Sequence, residues 1–176
     1  QALYRGQCNC SYWHGAFGGI YLPHLRNAVY NQLIAADNLL DAAQGRGTGW
    51  VEASADDYNF DMRQEVRFAN DKLVGWISPS QGGMLYELDV RSICVNLLAT
   101  LMRRPEAYHK KILAGASQHA DHAASIHDRV VFKQPGLDQR LQYDQHPRKS
   151  LIDHFYDPST TLEDAARGEA RERGDF

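Results

Sequence analysis

The sequence predicts a mainly β, α+β chain: an N-terminal loop and helix followed by part of an antiparallel β-sandwich. Three observations lead there. After Pro23, residues Leu25, Val29, Leu33, Ala36 and Leu40 recur at three- and four-residue steps, one face of a helix. From about Trp50 to Leu101, short apolar runs alternate with turn signals. Those runs follow one another too closely for crossover helices, so they pair antiparallel and make one half of a sandwich.

The first region, Gln1 to about Gln44, is a Gly- and aromatic-rich loop followed by the helix. Pro23 suits the first helical turn, where its missing N–H is no loss. Arg26, Asn27, Asn31, Asp37 and Asp41 fall largely off the apolar face. Gly45-Arg46-Gly47-Thr48-Gly49 ends the helix and reads as a linker. In the second region Val66 and Phe68 alternate with Glu65, Arg67 and Ala69, and Asn70-Asp71 turns the chain into Leu73–Ile77. Pro79–Gly83 is a further turn before the strand Met84–Val90. Ile93–Met102 reads equally as a strand or a short helix. In the third region, Pro105-Glu106-Ala107 opens a short helix through Leu113, and Arg129–Lys133 reads as a strand. Thr161–Arg173 is charged and helical or frayed, with so few apolar anchors that disorder is expected.

Composition bounds the function. At 43% hydrophobic, 23% charged and 10% aromatic over 176 residues, this is globular material for one domain or pieces of two. A net charge of -3 disfavours a nucleic-acid partner, which calls for a basic face. No apolar run approaches the roughly 20 residues that span a bilayer, so no membrane partner is expected. The absent initiator Met and the charge-dense close at Asp175-Phe176 suggest an incomplete chain. Cys8, Cys10 and Cys94 make a poor disulfide framework, which points to a reducing cytoplasm.

Arg5–Gly19 is the segment richest in chemistry. Tyr12, Trp13 and Phe17 offer flat apolar faces on which sugar rings stack, while Gln7, Asn9 and His14 offer hydrogen bonds. The alternative is a buried aromatic loop that anchors the following helix. The Cys8-x-Cys10 pair lacks a second pair to complete a zinc site and reads as two buried, inert thiols. His119-x-x-His122, with Asp121 and Asp128, lacks a complete ligand motif and reads as a solvated loop. Of the carboxylates Asp56, Asp57, Asp61, Glu87 and Asp89, the last two share a strand face about 7 Å apart by strand rise. That face reads as solvated rather than as the pair glycoside hydrolysis needs. No phosphate loop, dinucleotide fingerprint or nucleophile elbow is present, and neither a cofactor nor a resident metal is expected.

The run Arg5-Gly-Gln-Cys-Asn-Cys-Ser-Tyr-Trp-His-Gly-Ala-Phe-Gly-Gly-Ile-Tyr-Leu-Pro-His-Leu-Arg26 resembles a segment of glycoside hydrolase family 57, the α-amylases and 4-α-glucanotransferases. Asn70–Leu73, Gly82–Asp89, Arg103–His109 and Arg148–Phe155 are similar, in the family's order, to pieces of its C-terminal sandwich. The resemblance implies that residues 1–45 end the family's central helical domain with its active-site loop. It implies that residues 50–176 are an incomplete, galactose-mutarotase-like sandwich. It further implies a retaining enzyme acting on α-1,4-glucans or maltooligosaccharides, whose catalytic Glu and Asp sit on an N-terminal barrel of the same polypeptide. Neither carboxylate is then in this chain, which alone would be inactive. What carries over is cleft lining: Trp13 and His14 contact substrate, with Asn9 and Tyr12 shaping the loop. Cys10 departs from the acidic residue some relatives carry there. The rival readings are a non-catalytic module that holds glucan through Trp13, Trp50 or Trp76, and a purely structural sandwich.

Overall fold

Two helices open the chain, and a glycine sets their distance. α1 (Ala2–Gly6) lies against α2 (Pro23–Ala43), and a Cβ on Gly6 would fall 2.6 Å from Leu33 Cδ2. A glycine there leaves room for the Leu33 side chain of α2. α2 begins with Pro23 as its first helical residue, as its fixed φ favours. It ends at Gly45 with φ +72°, where Gly45 N–H donates to Ala42 and Arg46 N–H to the Asp41 carbonyl. Those two bonds satisfy the last carbonyls in the pattern that a left-handed glycine permits.

Five strands follow: β1 (Val51–Asp56), β2 (Glu65–Asn70), β3 (Leu73–Ser78), β4 (Met84–Val90) and β5 (Val95–Asn96). They form one antiparallel sheet in sequence order, the mainly β organisation expected. The computed structural model describes residues 1–14, 17–113, 136 and 140–174. The expected strand Arg129–Lys133 lies outside them, as does the His119–His122 pair. Ile93–Met102, left open between strand and helix, is mostly neither: a 3₁₀ turn over Arg91–Ile93 leads into the two residues of β5.

The two faces of the sheet differ sharply. Cross-strand register puts Ser54, Arg67, Trp76 and Glu87 in one row, with Ala69, Val74, Asp89 and Asn96 in the next. The opposite face carries Val66, Phe68, Leu73, Ile77, Leu88 and Val90. A bulge between Trp76 and Ile77 inserts Tyr86 opposite the pair. The face that packs toward α2 is therefore the polar one. Glu65 is 1% exposed and Ala69 3%, while Phe68 on the apolar face is 46% exposed. An apolar row left open beside a polar, covered one is the half-sandwich arrangement.

α2 docks through hydrogen bonds as much as through burial, which corrects two expectations. Its buried apolar residues are Val29 and Ile34, whereas Leu40 is 60% exposed. Polar residues expected off the packed face turn inward. Arg26 donates to the Ile20 carbonyl (2.5 Å) and the Ala99 carbonyl (3.3 Å), and Asn31 donates to the Cys94 carbonyl (3.3 Å). Asn38 donates to the Arg91 carbonyl (3.0 Å), and Asp41 pairs with the Arg91 guanidinium. The segment after β4 presents the carbonyls of Arg91 and Cys94 to α2, so side-chain donors fit there better than leucine does.

The chain divides into two compact units. The first comprises Gln1–Leu101, Arg148–Pro158 and Arg171–Phe176, so it holds α1, α2 and the sheet. Its late segments are tied in by a bridge from Ser150 to Leu85 and by another between Tyr156 and Glu172. Arg173 N–H also donates to the Phe155 carbonyl at 2.8 Å. The expectation of disorder past Thr161 fails for that reason: backbone pairing replaces the missing apolar anchors. The second unit, Met102–Pro147 with Ser159–Ala170, contains α3 (His109–Leu113) and α4 (Leu162–Arg167). The helix expected from Pro105 starts four residues later. In this unit Arg103 grips Asp144 through Nε (2.9 Å) and backbone N–H (2.7 Å). α4 opens on a reciprocal cap between Thr161 and Asp164.

Candidate functional site

The loop that carries Asn9, Tyr12, Trp13 and His14 is held from beneath. A short 3₁₀ turn over Asn9–Ser11 follows α1, and Ser11 is buried. The Tyr12 hydroxyl donates to the Gly6 carbonyl at 2.6 Å, tying the loop back to the helix it leaves. The Trp13 carbonyl accepts from Ile20 N–H at 2.8 Å, which closes the loop upon itself. Gly19 sits inside that closure with φ +47°, and a Cβ there would lie 2.0 Å from the Trp13 carbonyl oxygen. No other residue fits. Gly15 and Ala16, at the tip, lie outside the described residues.

All four residues reach the surface together. Tyr12 is 54% exposed and Trp13 46%, with Asn9 and His14 exposed beside them. The Trp13 and His14 rings lie 5.1 Å apart, tilted by 51°. Phe17 is 93% exposed. The buried-anchor alternative therefore does not hold: Trp13 and Phe17 lie at the surface, and Tyr12 stays half exposed while its hydroxyl ties back to Gly6. Cys8 and Cys10 are also exposed as free thiols, contrary to the expectation of two buried ones.

The carboxylates stand otherwise than strand periodicity implies. Asp57 accepts from the N–H groups of Asp61 (3.0 Å) and Met62 (2.9 Å), and Glu65 accepts from Tyr58 N–H (3.1 Å). These hold the β1–β2 loop. Glu87 and Asp89 do share a strand face, but it is not solvated. Asp89 is 5% exposed beneath α2. Burial, then the Asp89 charge beside it, pushes Glu87 up to about 8. Burial raises Asp89 to about 6, while the hydrogen bond it accepts from Glu87 acts the other way. The two share one proton. Burial and the Glu87 charge likewise lift the Tyr30 phenol to about 12. A retaining glycosidase needs carboxyls about 5 Å apart around the scissile bond, and a hydrogen-bonded pair has no room for one.

Sequence reasoning missed Arg91, which is 6% exposed. Its guanidinium pairs with Asp41 and lies 5.5 Å from the Trp50 ring centre, with Arg46 at 5.0 Å from the same ring. Trp50 is thereby taken up by cations rather than offered to a sugar. Nothing in the sequence near Val90-Arg91-Ser92 signals this burial. Among the described residues no helix is long and apolar enough to cross a membrane.

An ordered aromatic loop beside a helical segment, followed by a five-stranded antiparallel sheet, defines the class of chain: the end of a helical region joined to a β domain. The chain belongs to the glycoside hydrolase family 57 α-amylases and 4-α-glucanotransferases. The family model for the α-amylase/4-α-glucanotransferase C-terminal domain matches residues 57–176, and that for the middle domain matches residues 1–40. The chain is 35% identical over 171 residues to an α-amylase of Dictyoglomus thermophilum, covering 97% of this chain and 24% of that protein. It is 37% identical over 175 residues to a 4-α-glucanotransferase of Thermococcus kodakarensis, covering 99% and 25%. The crystal structure of the 4-α-glucanotransferase from Thermococcus litoralis superposes with a TM-score of 0.71 at 34% identity, covering 97% of this chain and 22% of that one. The chain thus spans about a quarter of the length of these relatives.

Proposed function

We propose that this chain is the non-barrel part of a cytoplasmic, retaining enzyme that hydrolyses or transfers α-1,4-glucans. Residues 1–45 close its central domain and residues 50–176 begin its C-terminal sandwich. The supporting observation is the exposed, glycine-locked loop, with Trp13 and His14 side by side and Tyr12 and Asn9 flanking them. An aromatic face beside hydrogen-bonding side chains suits a sugar, which has an apolar ring face and a rim of hydroxyls. Bond cleavage belongs to a Glu and an Asp on a barrel elsewhere in the polypeptide. The loop's part is to position glucan against them. Hydrolysis and transfer share one covalent intermediate and differ in whether water or sugar takes the glycosyl group.

The test is Trp13→Ala in the full-length protein, assayed on maltotetraose. Loss of one ring contact of about 1 kcal/mol should lower kcat/KM roughly fivefold or more, with the fold intact. Unchanged kinetics in a folded variant rule the substrate role out.

A further inference from the structure

We propose that the cavity between α2 and the polar face of the sheet is a second saccharide site, separate from the Trp13–His14 loop, which takes a short, neutral α-glucan segment. This rests on the reading that the parent protein handles α-glucans. The cavity holds about 500 Å³, within the range of roughly 300–1,000 Å³ typical of small-ligand pockets. Of the described loop residues Ser11 and Tyr12 line it, whereas Asn9, Trp13 and His14 do not.

Its chemistry points to a ligand with hydroxyl donors and flat faces. Tyr12, Tyr30 and Trp76 supply aromatic walls, and Val29 and Ile34 an apolar floor. Asp89 is 95% removed from solvent, yet its Oδ1 has no hydrogen-bond partner. A buried acceptor left unpaired costs free energy that a donor from a ligand recovers. Its other neighbour is Glu87, whose proton it already accepts. The choice between a cation and a neutral polyol follows from the charges facing the cavity. Glu87 and Asp89 share one proton and line the cavity with Asp37 and Arg26; around them Arg67, Lys149 and Arg91, the last paired with Asp41, complete the balance. That balance leaves no net negative charge to attract a cation. A neutral sugar fits instead: its ring faces meet the aromatics and its hydroxyls meet Asp89 and Glu87.

The probe is a sulfur-linked maltotriose, which neither hydrolysis nor transfer opens, titrated calorimetrically into the full-length protein. Two binding events per chain are expected. Thr100→Trp, at the exposed rim of the cavity, should remove one of them. Asp89→Asn, of equal size, should weaken that same event at least fivefold, and Trp13→Ala should weaken only the other. A single event, or two that both ignore Thr100→Trp and Asp89→Asn in folded variants, overturns the proposal. Hydrogen exchange of the unmodified protein gives a reading that needs no variant: the probe should protect amides of β3 and β4, and their unchanged exchange at saturation overturns it as well. If Trp13→Ala alters nothing while Thr100→Trp removes one event, the cleft role of the loop fails and the second site stands.

Discussion

Gly19→Ala tests the loop at its most constrained point. The new Cβ would fall 2.0 Å from the Trp13 carbonyl oxygen, 2.7 Å from the Cys10 carbonyl oxygen and 2.8 Å from the His14 carbonyl carbon. All three are backbone atoms, so no side chain can swing aside. An ordinary non-bonded separation is roughly 3.5 Å, and relief therefore requires a shift of about 1.5 Å in the backbone that carries Trp13 and His14. The left-handed φ of +47° adds about 1–2 kcal/mol for any residue with a Cβ. A misplacement of about 1 Å in a positioning contact can cost ~100-fold in rate. In the full-length protein, kcat/KM on maltotetraose should fall between about tenfold and 100-fold, with a lowered melting temperature. Gly45→Ala is the control, since Gly45 has φ +72° but nothing within 4 Å of its Cβ position. That variant should show the stability loss alone. If Gly19→Ala keeps kcat/KM within twofold of the parent, or if Gly45→Ala loses as much activity, the loop does not position substrate.

Two further predictions concern the α2–sheet contact. Glu87 and Asp89 have pKa values raised above those of the unfolded chain, so folding favours their protonated forms. Their contribution is full below about pH 4 and is lost as pH rises toward 8, at up to about 1.4 kcal/mol per pH unit for each differentially bound proton. Glu87→Gln should flatten that decline in denaturant midpoints measured from pH 5 to 9; an unchanged slope refutes the shared proton. Arg91→Ala leaves the partly buried Asp41 of α2 with its longer pairing to Arg46, at 3.6 Å, and should cost about 1–3 kcal/mol, whereas the double variant Arg91→Ala, Asp41→Asn should recover part of it. A loss under 1 kcal/mol by chemical denaturation removes the pair from the account.

Local order was written in the sequence, while the direction in which each face points was not. Pro23 and Gly45 bracket α2, and Asn70-Asp71 and Pro79–Gly83 separate the strands, because helix starts, helix ends and turns depend on the backbone freedom of single residues. The segment resemblance over Arg5–Arg26 likewise reads without coordinates. Period-2 alternation in β2 separates Val66 and Phe68 from Glu65 and Arg67, but it is symmetric between the two faces. Only the packing of α2 decided that the charged face is the covered one. That single choice buries Asp89, half-buries Glu87, turns Asn31, Asn38 and Asp41 inward, and leaves Leu40 outside. The exposure of Trp13 was equally beyond sequence, since it follows from Gly19 folding the loop back on its own carbonyls. Sequence thus determined which residues turn, pair and coil. The tertiary contacts determined which of them meet, because burial is set by what lies opposite and not by what lies adjacent along the chain.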